Sequence, residues 1–117
     1  MTMPHKSISV IGENKVAETL FYYWKDQADG NVTWNDEHSL SDADLIIETT
    51  NLDSNEKRQN LERIEAAAPK TTIILSTSLQ WTATEVASWL KYPDRLLGFA
   101  AFDNFDETPL IELAPAL

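Results

Sequence analysis

Short β-branched apolar runs alternate along this chain with stretches whose apolar residues recur every third or fourth position, the two periodicities of buried strands and one-sided helices. Ser7-Ile-Ser-Val-Ile-Gly12 predicts a strand ending at a glycine, after which Val16, Ala17, Leu20, Tyr23 and Trp24 fall at helical spacing. Beyond the breaker Asp29-Gly30, a second strand is expected over Asn31-Val-Thr-Trp34. A third, Asp44-Leu-Ile-Ile-Glu-Thr49, is apolar enough to be buried on both faces and suits a central parallel position. Only about ten residues join these two, near the lower limit of about 10 to 12 for a crossover, so a short helical turn is expected between Asn35 and Asp44. Asp53-Ser-Asn-Glu56 has capping-box spacing and opens a helix that shares one face among Leu61, Ile64 and Ala68 and runs to about Pro69. Thr72-Ile-Ile-Leu-Ser76 reads as the fourth strand. Thr82-Ala-Thr-Glu85 repeats the capping pattern ahead of Val86, Trp89 and Leu90, in a helix that stops before Pro93. Strands over residues 96–102 and 110–114 complete the order. Such alternation predicts an α/β domain: a doubly wound, mainly parallel sheet of about six strands, with right-handed crossovers and helices on both faces.

Composition narrows what this domain can do. With 117 residues, 43% of them hydrophobic, a single domain over residues 1–117 is expected, residues 1–6 forming an N-terminal tail. There is no internal repeat or linker, no apolar run approaching the ~18 residues of a membrane span, and no apolar signal segment at the start. The absence of cysteine excludes thiol chemistry, and a cytoplasmic location is expected. A formal charge of −10 repels nucleic acid and anionic lipid. The two histidines, His5 and His38, read as surface residues, so neither a zinc site nor a Ser-His-acid arrangement is expected. Asp103, Asp106 and Glu107 read as a solvated loop rather than a cation site, and Trp24, Trp34, Trp81 and Trp89 as core or interface residues rather than a stacking platform.

The first strand-helix turn, Gly12-Glu-Asn-Lys-Val-Ala17, lies where a dinucleotide-binding domain cradles a pyrophosphate. Against GxGxxG, Gly12 is the first glycine, Asn14 replaces the second and Ala17 stands as a small third residue. The Asn14 side chain would occupy space near the phosphates, Glu13 adds a like charge, and Lys15 partly offsets it. Weak dinucleotide affinity, or none, is expected.

Three further stretches carry a resemblance. Ala43-Asp-Leu-Ile-Ile-Glu-Thr-Thr50 with Lys57 nine residues after Glu48 resembles the pattern ADLVIEAV…K; Ser76-Thr-Ser-Leu-Gln-Trp-Thr-Ala-Thr-Glu-Val-Ala87 is similar to SNTSSLSITEIA; Pro93-Asp-Arg-Leu-Leu-Gly98 resembles a Pro-Arg-apolar-apolar-Gly motif. From Lys6 onward the chain thus resembles the NAD-binding domain of the L-3-hydroxyacyl-CoA dehydrogenase family. The resemblance implies a Rossmann-like fold, with Glu48 near the cofactor ribose and Lys57 near the cofactor or CoA. It also implies an acid-base mechanism in which a histidine takes the hydroxyl proton, a glutamate orients it and a serine holds the substrate oxygen. Carried over by the family's motif and spacings, the histidine position is Ala100, the serine position Leu79 and the glutamate position Glu112. A methyl group moves no proton. A one-residue shift would put Ser78 in the serine role, but neither histidine of the chain can supply the base, and the family's helical second domain is expected to be absent after Leu117.

Two readings follow. In one, Gly12, Asn14, Asp36 (or Asn35), Glu48 and Lys57 hold NAD or a smaller nucleotide, Asp36 accepting from ribose hydroxyls, and no catalytic residues operate. In the other, the scaffold no longer binds nucleotide and acts through a homodimer or a protein partner on faces the second domain would cover. Trp81, at a family leucine position, is expected to be buried and to fill the vacated pocket.

Overall fold

A computed structural model describes residues 7–27, 31–50, 53–77, 81–101 and 111–115. Strand β1 (Ile8–Ile11) leads into helix α1 (Lys15–Gln27), then β2 (Val32–Trp34), a 3-10 turn (Glu37–Asp42) and β3 (Leu45–Glu48). Helix α2 (Ser54–Ala67), β4 (Ile73–Thr77), helix α3 (Ala83–Ala87), a second 3-10 turn (Pro93–Arg95), β5 (Leu96–Ala101) and β6 (Ile111–Pro115) follow. The six strands form one sheet in the order β2-β1-β3-β4-β5-β6, parallel except for the antiparallel β5–β6 pair. β3 is central, as its unbroken apolar run predicts.

The period of two along each strand sorts the core into two layers. Ile11, Ile46, Ile74 and Leu96 face one side and pack with Leu61 and Ile64 of α2, Val86 of α3 and Leu40 of the first 3-10 turn. Val10, Ile47 and Phe99 face the other and pack with Ala17 and Leu20 of α1. Helices therefore cover both faces. The short crossover between β2 and β3 is the expected helical turn, capped by Asp36 and anchored by buried Leu40.

Caps fix where the helices begin. Asp53 accepts from the amides of Asn55 and Glu56 at the start of α2, and Thr82 accepts from Glu85 N at the start of α3. α3 is shorter than the sequence pattern suggests, because Trp89 N and Leu90 N bond three residues back, to Val86 O and Ala87 O, and tighten the chain out of the α-helix after Ala87.

Candidate functional site

The strand order reverses between β1 and β3, since β1 leads outward to β2 whereas β3 leads the other way to β4. Open α/β sheets bind ligands in the crevice at such a point, beyond the carboxyl ends of the strands. Gly12, Asn14 and Thr49 meet there. Gly12 has φ +144°, and a Cβ on it would lie 1.9 Å from Thr49 Oγ1, so only glycine is accommodated. Asn14 Oδ1 accepts from Ala17 N at 2.9 Å, capping α1, while its Nδ2 donates to Thr49 O at 2.7 Å. The amide thus spans the crevice.

Asn35 and Asp36 have different tasks. Asn35 adopts φ 53°, a left-handed conformation that asparagine tolerates, and turns its amide onto Gly12: Gly12 N donates to its Oδ1 at 2.8 Å and its Nδ2 donates to Gly12 O at 2.9 Å. Trp34 Nε1 donates to the same carbonyl. Asp36 is exposed and caps the 3-10 turn by accepting from His38 N.

Glu48 and Lys57, expected beside the cofactor, instead pair with each other inside the protein. Lys57 Nζ lies 2.6 Å from Glu48 Oε1, and both side chains are fully buried. The ammonium also donates to Thr50 O and Thr77 Oγ1, so all three N–H donors are used. Glu48 accepts in turn from Ser76 Oγ and Thr50 N. Burial pushes the Lys57 ammonium below the ordinary lysine range, an effect that neighbouring Glu48 partly opposes. The sequence shows the spacing of these two residues but not their pairing; the Ser/Thr ring around them comes from two segments, the end of β3 and β4, and carries no local signal.

A cleft of about 280 Å³ opens beside the crevice, lined by Gly12 and Glu13 after β1, Asn35 and Glu37 after β2, and Glu56, Asn60 and Arg63 on α2. Arg63 Nε pairs with Glu37 at 2.8 Å and its NH2 donates to Asn60 Oδ1. Three carboxylates against one paired guanidinium make this cleft electronegative. The α2 residues escaped the sequence reading because only the folded sheet brings them to β2.

In the antiparallel pair, Ala100 on β5 stands in register with Glu112 on β6. Leu79, at the serine position, lies outside the described residues, as do Ser78, His5 and the acidic run at Asp103, Asp106 and Glu107. His38 is exposed. Trp81 is half-buried rather than enclosed: it packs edge-on to Trp89 at 6.3 Å between centroids and lies 5.9 Å from the Lys57 ammonium, at the rim of the core. Among the described residues no group of three or more potential ligands could hold a metal ion, and no helix is long and apolar enough to cross a membrane.

Comparison with known proteins places this geometry. A 3-hydroxybutyryl-CoA dehydrogenase from Clostridioides difficile is 31% identical over 74 residues, 63% of this chain and 26% of that protein. The dehydrogenase part of multifunctional enzyme 1 from C. elegans superposes with a TM-score of 0.77 at 18% identity, covering 94% of this chain and 35% of that one. A (S)-3-hydroxybutyryl-CoA dehydrogenase from Ralstonia eutropha gives 0.74 at 16%, covering 96% and 54%. The chain therefore spans about a quarter to a half of the length of these relatives. The profile of the family described as 3-hydroxyacyl-CoA dehydrogenase, NAD binding domain, matches residues 13–117, and the chain belongs to that family.

Proposed function

We propose that this chain is a nucleotide-binding domain of the 3-hydroxyacyl-CoA dehydrogenase type that holds NAD weakly and carries out no dehydrogenation by itself. The observation that carries the reading is the register of β5 on β6: the position opposite Glu112, which the family resemblance assigns to the catalytic base, is Ala100. A positioned acid-base group contributes about 10²- to 10⁴-fold to proton-transfer chemistry. Alanine supplies none of it.

Binding of the whole cofactor is opposed by the crevice. The Asn14 amide lies across the place a pyrophosphate would take, and Glu48 and Lys57 spend their hydrogen bonds on one another, so the residues present do not suit the diphosphate. The neighbouring cleft supports binding of one end of the cofactor: at about 280 Å³ it sits just under the range of about 300 to 1,000 Å³ usual for small-molecule pockets. Isothermal titration with NAD and NADH, alongside an absorbance assay of NADH formation from a 3-hydroxyacyl-CoA, tests the reading. Saturable binding in the millimolar range without turnover is expected; sustained protein-dependent NADH formation would overturn it.

A second reading, an interaction module with no nucleotide function, is favoured by one observation. On the sheet face that carries α1, Ile73 is 45% exposed and Leu75 is only half-buried. A homodimer or protein partner seated there would cover them, and sedimentation that stays monomeric at all concentrations would remove the homodimer form of this reading.

A further inference from the structure

Resting on the nucleotide-binding reading, we infer that Asn14 is the residue that sets ligand selectivity: it closes the switch-point crevice to diphosphates and leaves a cleft for an uncharged nucleoside. The crevice and the cleft share the Gly12 turn but differ in what they offer. In the crevice, anion binding needs the amides of the first turn of α1, whose positive dipole end points outward. Ala17 N is already taken by Asn14 Oδ1, and the other end of the same amide is tied to Thr49 O, just past the end of β3. A diphosphate competes with both bonds on entering, beside Glu13, whose charge Lys15 only partly offsets. The tie is short and joins the turns that follow β1 and β3, two strands paired with each other up to Ile11 and Glu48, so the sheet holds both ends of the bridge.

The cleft demands no such rearrangement. Glu13, Glu37 and Glu56 line it with Asn35 and Asn60, and its guanidinium, Arg63, is engaged by Glu37. Carboxylates accept hydrogen bonds from ribose hydroxyls and repel phosphate, and the planar guanidinium face offers a stacking surface to a base. Its location between β1, β2 and α2 joins it to the crevice, so a dinucleotide bound through its nucleoside end would have its phosphates directed towards Asn14. A nucleoside without phosphate meets the favourable part of this surface alone.

The selectivity follows as a ranking that can be reversed. In the unaltered protein adenosine binds at least as tightly as NAD. In Asn14→Gly, which restores an open turn, NAD affinity rises about tenfold, the factor that corresponds to one net hydrogen bond, while adenosine affinity stays unchanged. Glycine is an acceptable helix cap, so the fold persists; Asn14→Ser, which retains a capping hydroxyl but is too short to reach Thr49 O, provides a second variant, with thermal unfolding as a check on both. Isothermal titration of the three proteins with adenosine, AMP and NAD reads the result. A gain for NAD, and a smaller one for AMP, in both variants supports the inference. Equal NAD affinity in all three overturns it while leaving nucleotide binding in place, and no binding of any ligand by any of the three overturns both.

Discussion

Trp81 illustrates how position within the core sets the cost of a change. It lies against Trp89 and over Lys57 but keeps part of its surface in solvent. Trp81→Ala should therefore cost about 1 to 2 kcal/mol, below the ~3 to 5 typical of a fully enclosed tryptophan. Urea denaturation measures this directly, and a loss above about 3 kcal/mol would mean the ring is enclosed after all. The same residue marks a limit of sequence reading: its motif position suggested a filled pocket, whereas depth depends on the rim formed by α2 and α3. Gly12 was legible as a required glycine, but its reason was not, because the atom it must avoid is Thr49 Oγ1, in a distant segment just past β3. Asn35 was legible only as an alternative to Asp36, since no local pattern says that its amide will turn back onto Gly12.

Between elements, the strongest polar connection is the one tying α2 to the sheet. Lys57 from the first turns of the helix reaches Glu48 at the end of β3, and Ser76 and Thr77 of β4 complete the set. Removing one member leaves an uncompensated buried charge, so Lys57→Met should destabilise by about 3 to 5 kcal/mol. Adding Glu48→Gln neutralises the remaining carboxylate while keeping an acceptor, and should recover about half of that loss; the double-mutant cycle by chemical denaturation checks the coupling. Were Lys57→Met neutral, the pair would be incidental. The elements themselves were well announced in the sequence: caps at Asp53 and Thr82, the glycine after β1 and the apolar run of β3 each act locally. The early end of α3 was not, because it accompanies a change from four-residue to three-residue bonding and, just beyond it, the amides of Lys91 and Tyr92 donate to Glu65 on α2, a partner distant in sequence.

Across the whole molecule, the charge of −10 governs any encounter with an anionic ligand. Raising salt from about 0.01 M to about 0.1 M shortens the screening length from about 30 to about 10 Å. NAD binding should therefore strengthen severalfold over that interval while adenosine binding stays level, which titrations at the two ionic strengths compare; NAD affinity that falls with salt would argue for a basic site elsewhere. The paired amide of Asn35 has a consequence at this scale too. By exchanging two hydrogen bonds with Gly12, it adds one rung beyond the last backbone pairing of β1 and β2, so the turn is held from within the chain. A turn moulded by its ligand protects a protein from proteolysis in proportion to how much ligand is present. Here the mould is built in, so the turn itself should resist limited proteolysis equally well with and without nucleotide.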